Sequence, residues 1–129
     1  MTSMLPHAVI ERRLRDLGAT VIGWSNGAGD RYAVHEHVYD KILVATQGAI
    51  TFILPATGDV IELRAGDRLD LPAGTSHAAT VSDQGVQCLE AHLPARHLGS
   101  RPQRVAGWAL GASIVGTPPT TETADRTGT

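Results

Sequence analysis

The chain is poor in cysteine, lysine and net charge, and it has no long apolar run. Its one cysteine, Cys88, excludes an internal disulfide and fits a reducing compartment. A formal charge of -2 and a pI near 6.3 leave no electrostatic case for nucleic acid or an anionic membrane. The most apolar late stretch, VAGWALGASIVG at 105–116, falls well short of the roughly 20 residues needed to cross a bilayer. The N-terminus MTSMLPHAVIERRLRDLG lacks the continuous apolar core of a signal peptide. No nucleophile elbow, phosphate loop or CxxC pair is present. These absences lead us to expect a soluble, cytoplasmic protein with no nucleic-acid or membrane partner.

What is present has the size of one domain: 129 residues, 42% hydrophobic and 19% charged. Ile10, Leu14 and Leu17 fall at helical spacing, with Pro6 before and Gly18 after, which predicts a short helix within 5–18. The period then changes to that of strands. ATVIGW, RYAVHEHV, KILVAT, AITFIL, DVIELR, DRLDLP, HAATV and GVQCLEAHL are short runs rich in Val, Ile, Leu and Thr. Turn signals stand between several of them: QG at 47–48, ATGD at 56–59, RAGD at 64–67, PAGT at 72–75 and SDQG at 82–85. Such spacing predicts an all-β sandwich or barrel. The expected organisation is a helical segment at 1–18, a barrel at 19–94 and an extension at 95–116 that packs on the barrel or a second subunit. A disordered tail is expected at 117–129, where no residue can build a core.

Chemistry concentrates in HEHVYDK at 35–41, which holds two of six histidines and the only lysine. Alternation puts His35, His37, Tyr39 and Lys41 on one strand face with Leu43 and Ala45, and this apolar continuation aims the face into the barrel. Two imidazoles at i and i+2 either converge on one metal ion or act as separate polar residues with local partners.

The spacing around them resembles the cupin superfamily. Gly29 precedes His35 with five residues between them, His37 follows, and Gly48 closes a first motif. In GDRLDLPAGTSHAATV, Gly66, Pro72, Gly74 and His77 match a second motif, with Val81 where that motif has Asn. The resemblance covers roughly residues 20 to 94. It implies a small double-sheet (jelly-roll) β-barrel, often dimeric, with His35, His37 and His77 facing one metal ion. At the position of the usual fourth ligand, a Glu, this chain has Lys41. Protonated lysine has no lone pair to offer a metal, and Asp40 faces the other way by alternation. The resemblance therefore implies a three-histidine site, as in some iron-dependent cupin dioxygenases.

Lys41 has several readings at this stage. It is a neutral amine acting as a base, a cation holding an anionic ligand, a substitute for the metal's charge, or a side chain that reaches out of the barrel to a carboxylate. Tyr39 either donates a hydrogen bond to a bound oxygen or packs as a core tyrosine. Cys88, Glu90 and His92 alternate on one face of the last strand, but the phase of related cupin strands turns Leu89 and Ala91 to the cavity instead. The expected protein is a homodimeric metal-dependent enzyme of dioxygenase, isomerase or lyase type. Its cofactor is a divalent metal, Fe(II) first, with Zn, Ni or Mn as alternatives, and its partner is a small anionic or oxygen-rich molecule. A binding or sensing module without turnover is the alternative.

Overall fold

The structure, a computed structural model, describes residues 2–18 and 20–112. In chain order the elements are β1 (Thr2–Met4), α1 (His7–Arg15), β2 (Thr20–Asn26), β3 (Arg31–His35), β4 (Asp40–Leu54), β5 (Asp59–Arg64), β6 (Arg68–Leu71), β7 (His77–Leu93), β8 (Gln103–Val105) and β9 (Leu110–Ala112).

The two long strands organise the rest. β4 and β7 pair antiparallel from Asp40↔Leu93 to Ile53↔Ala78, with register shifts between Ala45 and Gln47 and between Gly48 and Ile50. Gly48 (φ 73°) and Gly85 (φ 75°) meet at this irregularity. A Cβ on Gly48 would lie 2.0 Å from the Gly85 carbonyl oxygen, so only glycine admits the approach. The turn signals QG and SDQG therefore mark bends inside continuous strands. KILVAT and AITFIL merge into β4, and HAATV and GVQCLEAHL into β7.

The bends fold each long strand into two layers. β2 pairs with the second half of β7, whose other neighbour is the first half of β4, followed by β6 and β8. In the other layer β3 pairs with the first half of β7, and β5 with the second half of β4. Between the layers lies a core that includes Leu43, Ala45, Ile50, Phe52, Leu63, Leu69, Ala79, Val81, Val86 and Cys88. Each long strand changes the parity of its inward residues at the glycine bend. β4 turns in 43 and 45, then 50, 52 and 54; β7 turns in 79 and 81, then 86 and 88.

A second cluster covers the outside of the first layer, where Ile42, Val44, Leu89 and Ala91 meet α1 through Ile10 and Leu14. Both helical side chains are 0% exposed, a burial that contributes about 1.5–3 kcal/mol each. Leu17, expected to share that face, is 42% exposed because the helix ends at Arg15 and the chain turns away at Gly18 (φ 87°). Trp108 packs on this cluster. The Arg13 guanidinium lies 4.1 Å above its ring and donates to its carbonyl oxygen at 2.8 Å. The last residues of the apolar 105–116 stretch and the expected tail at 117–129 lie outside the described residues. Among the described residues no helix is long and apolar enough to cross a membrane.

Candidate metal centre

His35 ends β3 and His77 begins β7, and the two are register partners. Their rings stand 4.4 Å apart. His37 lies just past β3, since the expected run RYAVHEHV keeps strand geometry only to His35. Its ring is 4.9 Å from that of His35 and 5.3 Å from that of His77. One nitrogen from each of the three lies within 4.8 Å of the others, the only such histidine, cysteine or carboxylate group of three or more among the described residues. Nitrogens bound to one ion at about 2.1 Å stand roughly 3.0–3.5 Å apart, so binding would draw the trio together by at most roughly 1.3–1.8 Å.

Local hydrogen bonds set the tautomers. Nδ1 of His35 is 2.8 Å from the Ala33 carbonyl oxygen, and Nδ1 of His77 is 2.8 Å from that of Thr75. Each Nδ1–H thus donates to backbone and leaves a lone pair on Nε2. Nε2 of His37 is buried with no hydrogen-bond partner, an orphan that a metal ion would satisfy. Burial, then the charge of Lys41 and the neighbouring histidines, pushes the His37 imidazole down to about 4. Burial likewise lowers His77 against the raising effect of its bond to Thr75. Both are neutral near pH 7, the form that binds metal. The residues present fit a divalent ion.

The turn before β7 holds the trio in place. The Gly74 amide donates to the His37 carbonyl at 2.8 Å, and the Thr75 carbonyl takes the His77 bond just described. Asp40, 1% exposed, faces away from the cavity as alternation predicts. Its Oδ1 accepts the Ala73 amide at 2.8 Å, and its Oδ2 accepts those of His97 and Leu98 at 2.8 and 2.7 Å. His7 and His97 are exposed, outside the site.

Beside the histidines a cavity of about 200 Å³ opens between the layers, lined by His35, His77, Lys41, Trp24, Tyr32 and Glu90 with apolar Leu43, Ile50, Phe52 and Ala79. Lys41 faces it and makes an ion pair at 3.3 Å with Glu90 Oε1, each side chain about nine-tenths buried. The same oxygen accepts the Trp24 indole N–H at 2.9 Å, and Oε2 pairs with His92 Nε2. Burial would raise the Glu90 pKa, but the bond to His92, the Lys41 charge and the Trp24 bond hold it below the usual carboxylate range. Tyr39 does not line the cavity. Its ring packs 4.2 Å from His92 and 4.9 Å from His37.

Glu90 corrects the reading of the last strand. Leu89 and Ala91, expected to face the cavity, lie in the outer cluster under α1, while Cys88 and Glu90 point inward. The reason is the parity change at Gly85. The readable signal was a glutamate in the middle of an apolar strand, which folded proteins bury only with partners. The Cys88 thiol is pushed up to about 12 by burial and then by Glu90, which leaves it inert.

No family model matches the chain, and no curated protein matches it. Solved structures do. An oxalate decarboxylase variant from Bacillus subtilis is 16% identical with a TM-score of 0.53, covering 60% of this chain and 21% of that one. A structure concerned with the Mn(II) centres of the same enzyme matches with the same TM-score of 0.53. ToxT from Vibrio cholerae, with unsaturated fatty acid bound, is 14% identical with a TM-score of 0.51, covering 58% of this chain and 29% of that one. The chain thus spans about a fifth of the oxalate decarboxylase it matches, at 21% of that chain. These likenesses show the fold. The double-sheet β-barrel with a histidine trio is a cupin fold, as the two sequence motifs implied.

Proposed function

We propose that this chain is a small metal-binding cupin in which His35, His37 and His77 hold one divalent ion. Fe(II) is the first candidate, with Mn, Zn or Ni as alternatives. The observation that carries the reading is the buried, unpartnered Nε2 of His37 beside two imidazoles whose Nδ1 atoms are committed to backbone. The Mn(II) centres named for Bacillus subtilis oxalate decarboxylase add support for a divalent-metal site in this fold.

The reaction class we favour is metal-dependent chemistry of dioxygenase, isomerase or lyase type on a small oxygen-rich molecule. When bound, the ion supplies Lewis acidity or a site for dioxygen. The chain supplies the rest. Lys41 meets a ligand oxygen from the cavity wall, Tyr39 positions His37 by packing against it, and the apolar walls exclude water. The alternative of a module that holds an anion through Lys41 needs a free ammonium charge, and Glu90 already matches it.

Untagged protein, stripped of metal and titrated anaerobically with Fe(II), Mn(II) or Zn(II), is expected to bind one ion per chain. His37→Ala is expected to weaken that binding at least about 100-fold, beyond the loss usual for a supporting residue. Unchanged affinity in His37→Ala and His77→Ala would remove the three-histidine centre.

A further inference from the structure

The cavity carries information on what it accepts, and most of its polar groups are already used. The Trp24 N–H is committed to Glu90, the Tyr32 hydroxyl to Asn26, and the Lys41 charge to Glu90. What remains toward a ligand is the histidine end, spare N–H bonds on Lys41, and a wall formed by Leu43, Ile50, Phe52 and Ala79. The volume of about 200 Å³ lies below the roughly 300–1,000 Å³ usual for organic-ligand pockets.

We propose that the site selects a small ligand with an apolar, planar body and at most one negative charge, its oxygens on the metal end and an acceptor oxygen toward Lys41. Glu90 is the specificity-determining residue. This rests on the three-histidine reading. The pairing decides the charge rule: a ligand bringing a second carboxylate or a phosphate to the Lys41 end meets an ammonium already neutralised, and it meets the Glu90 carboxylate beside it. Both charges are buried, so their effect on a neighbouring anion is weakly screened. A neutral carbonyl oxygen avoids that repulsion, and a lysine N–H not turned to Glu90 can still donate to it. The apolar wall favours a ring or alkyl body over a second polar group.

The test uses Zn(II)-loaded protein and two bidentate oxygen probes, tropolonate with one charge and a planar apolar ring, and oxalate with two charges. Each affinity is measured by calorimetry and compared with that for Zn(II) free in buffer. The wild-type protein is expected to favour tropolonate over oxalate at least tenfold more than the free ion does. Glu90→Gln keeps the shape and frees the Lys41 charge, so the oxalate-to-tropolonate ratio is expected to rise at least tenfold. Lys41→Met takes the ammonium from beside Glu90 and leaves its carboxylate to His92 and Trp24, and the ratio is expected to fall by a similar factor. Should Glu90→Gln not fold, the Lys41→Met ratio decides alone. A ratio equal in all folded proteins, with Zn(II) bound in each, overturns the charge rule and leaves the metal site standing. Failure of the wild-type protein to bind Zn(II) overturns both.

Discussion

Asp40→Ala is expected to cost about 4 kcal/mol, because it strips a buried carboxylate from three backbone amides and leaves them unpaired. At this chain length that lowers the melting temperature by roughly 12–16 °C. A loss of metal affinity of at least about tenfold should accompany it. Asp40 holds the amide of Ala73, and the adjoining Gly74 and Thr75 hold His37 and His77. Asp67 is the control. It is 7% exposed and accepts the amides of Arg64 and Gly107, but it ties down a turn that touches no histidine. Asp67→Ala should destabilise the fold and leave metal affinity within about twofold of wild type. Equal losses of affinity in both variants would reduce Asp40 to a general stabiliser.

The same carboxylate sets an acid signature. Burial alone would raise the Asp40 pKa, and backbone amides, those of Ala73, Leu98 and His97 foremost, lower it further than burial raises it. A folded-state value below the unfolded one contributes stability that is present above about pH 4 and is lost as the pH falls through the folded value. Denaturant melts should therefore show the Asp40→Ala deficit constant near neutrality and shrinking in acid. A deficit independent of pH would mean that the charge is not what holds the amides.

Lys41→Glu is the second large effect, and it separates the metal-free protein from the loaded one. Without metal it sets a second buried carboxylate beside Glu90, where Lys41 now stands 3.3 Å away. Breaking a buried pair and leaving like charges together costs about 3–5 kcal/mol, or roughly 10 °C or more in melting temperature. The exchange also restores the carboxylate that the first cupin motif carries at this position. Metal is therefore expected to recover at least half of the loss, since an ion at 100 times its Kd contributes about 2.7 kcal/mol. Thermal melts of wild-type and Lys41→Glu protein, with and without Zn(II), measure both halves. A metal-free variant as stable as wild type would contradict the Lys41–Glu90 pair. A rescue no larger than the wild-type gain would place Lys41 too far from the ion to serve its site.

Much of the site was legible in the chain. His35 and His77 come together because each sits at a motif position, and PAGT before His77 builds the turn that holds it. Asp40 was read as facing away, and it does, with a structural task that a lone carboxylate in sequence does not announce. Tyr39 was expected on the cavity face. It packs against His37 and His92 instead, because the strand ends at His35 and alternation no longer governs the residues before β4. Leu17 failed for a similar local reason, the helix closing before it.

The sequence by itself determined the strand-rich class, the two glycine-bearing motifs, the three histidines and the absence of the usual glutamate. All of these depend on spacing within one strand or turn, where backbone geometry is nearly constant. Only the tertiary structure decided what Lys41 faces. Its partner Glu90 lies on a strand distant in sequence, and a one-residue change of phase turns every following side chain to the other layer. That phase is set where Gly48 and Gly85 approach too closely for any Cβ. The contact between two strands chooses between Glu90 and Leu89, and neither strand alone contains that information.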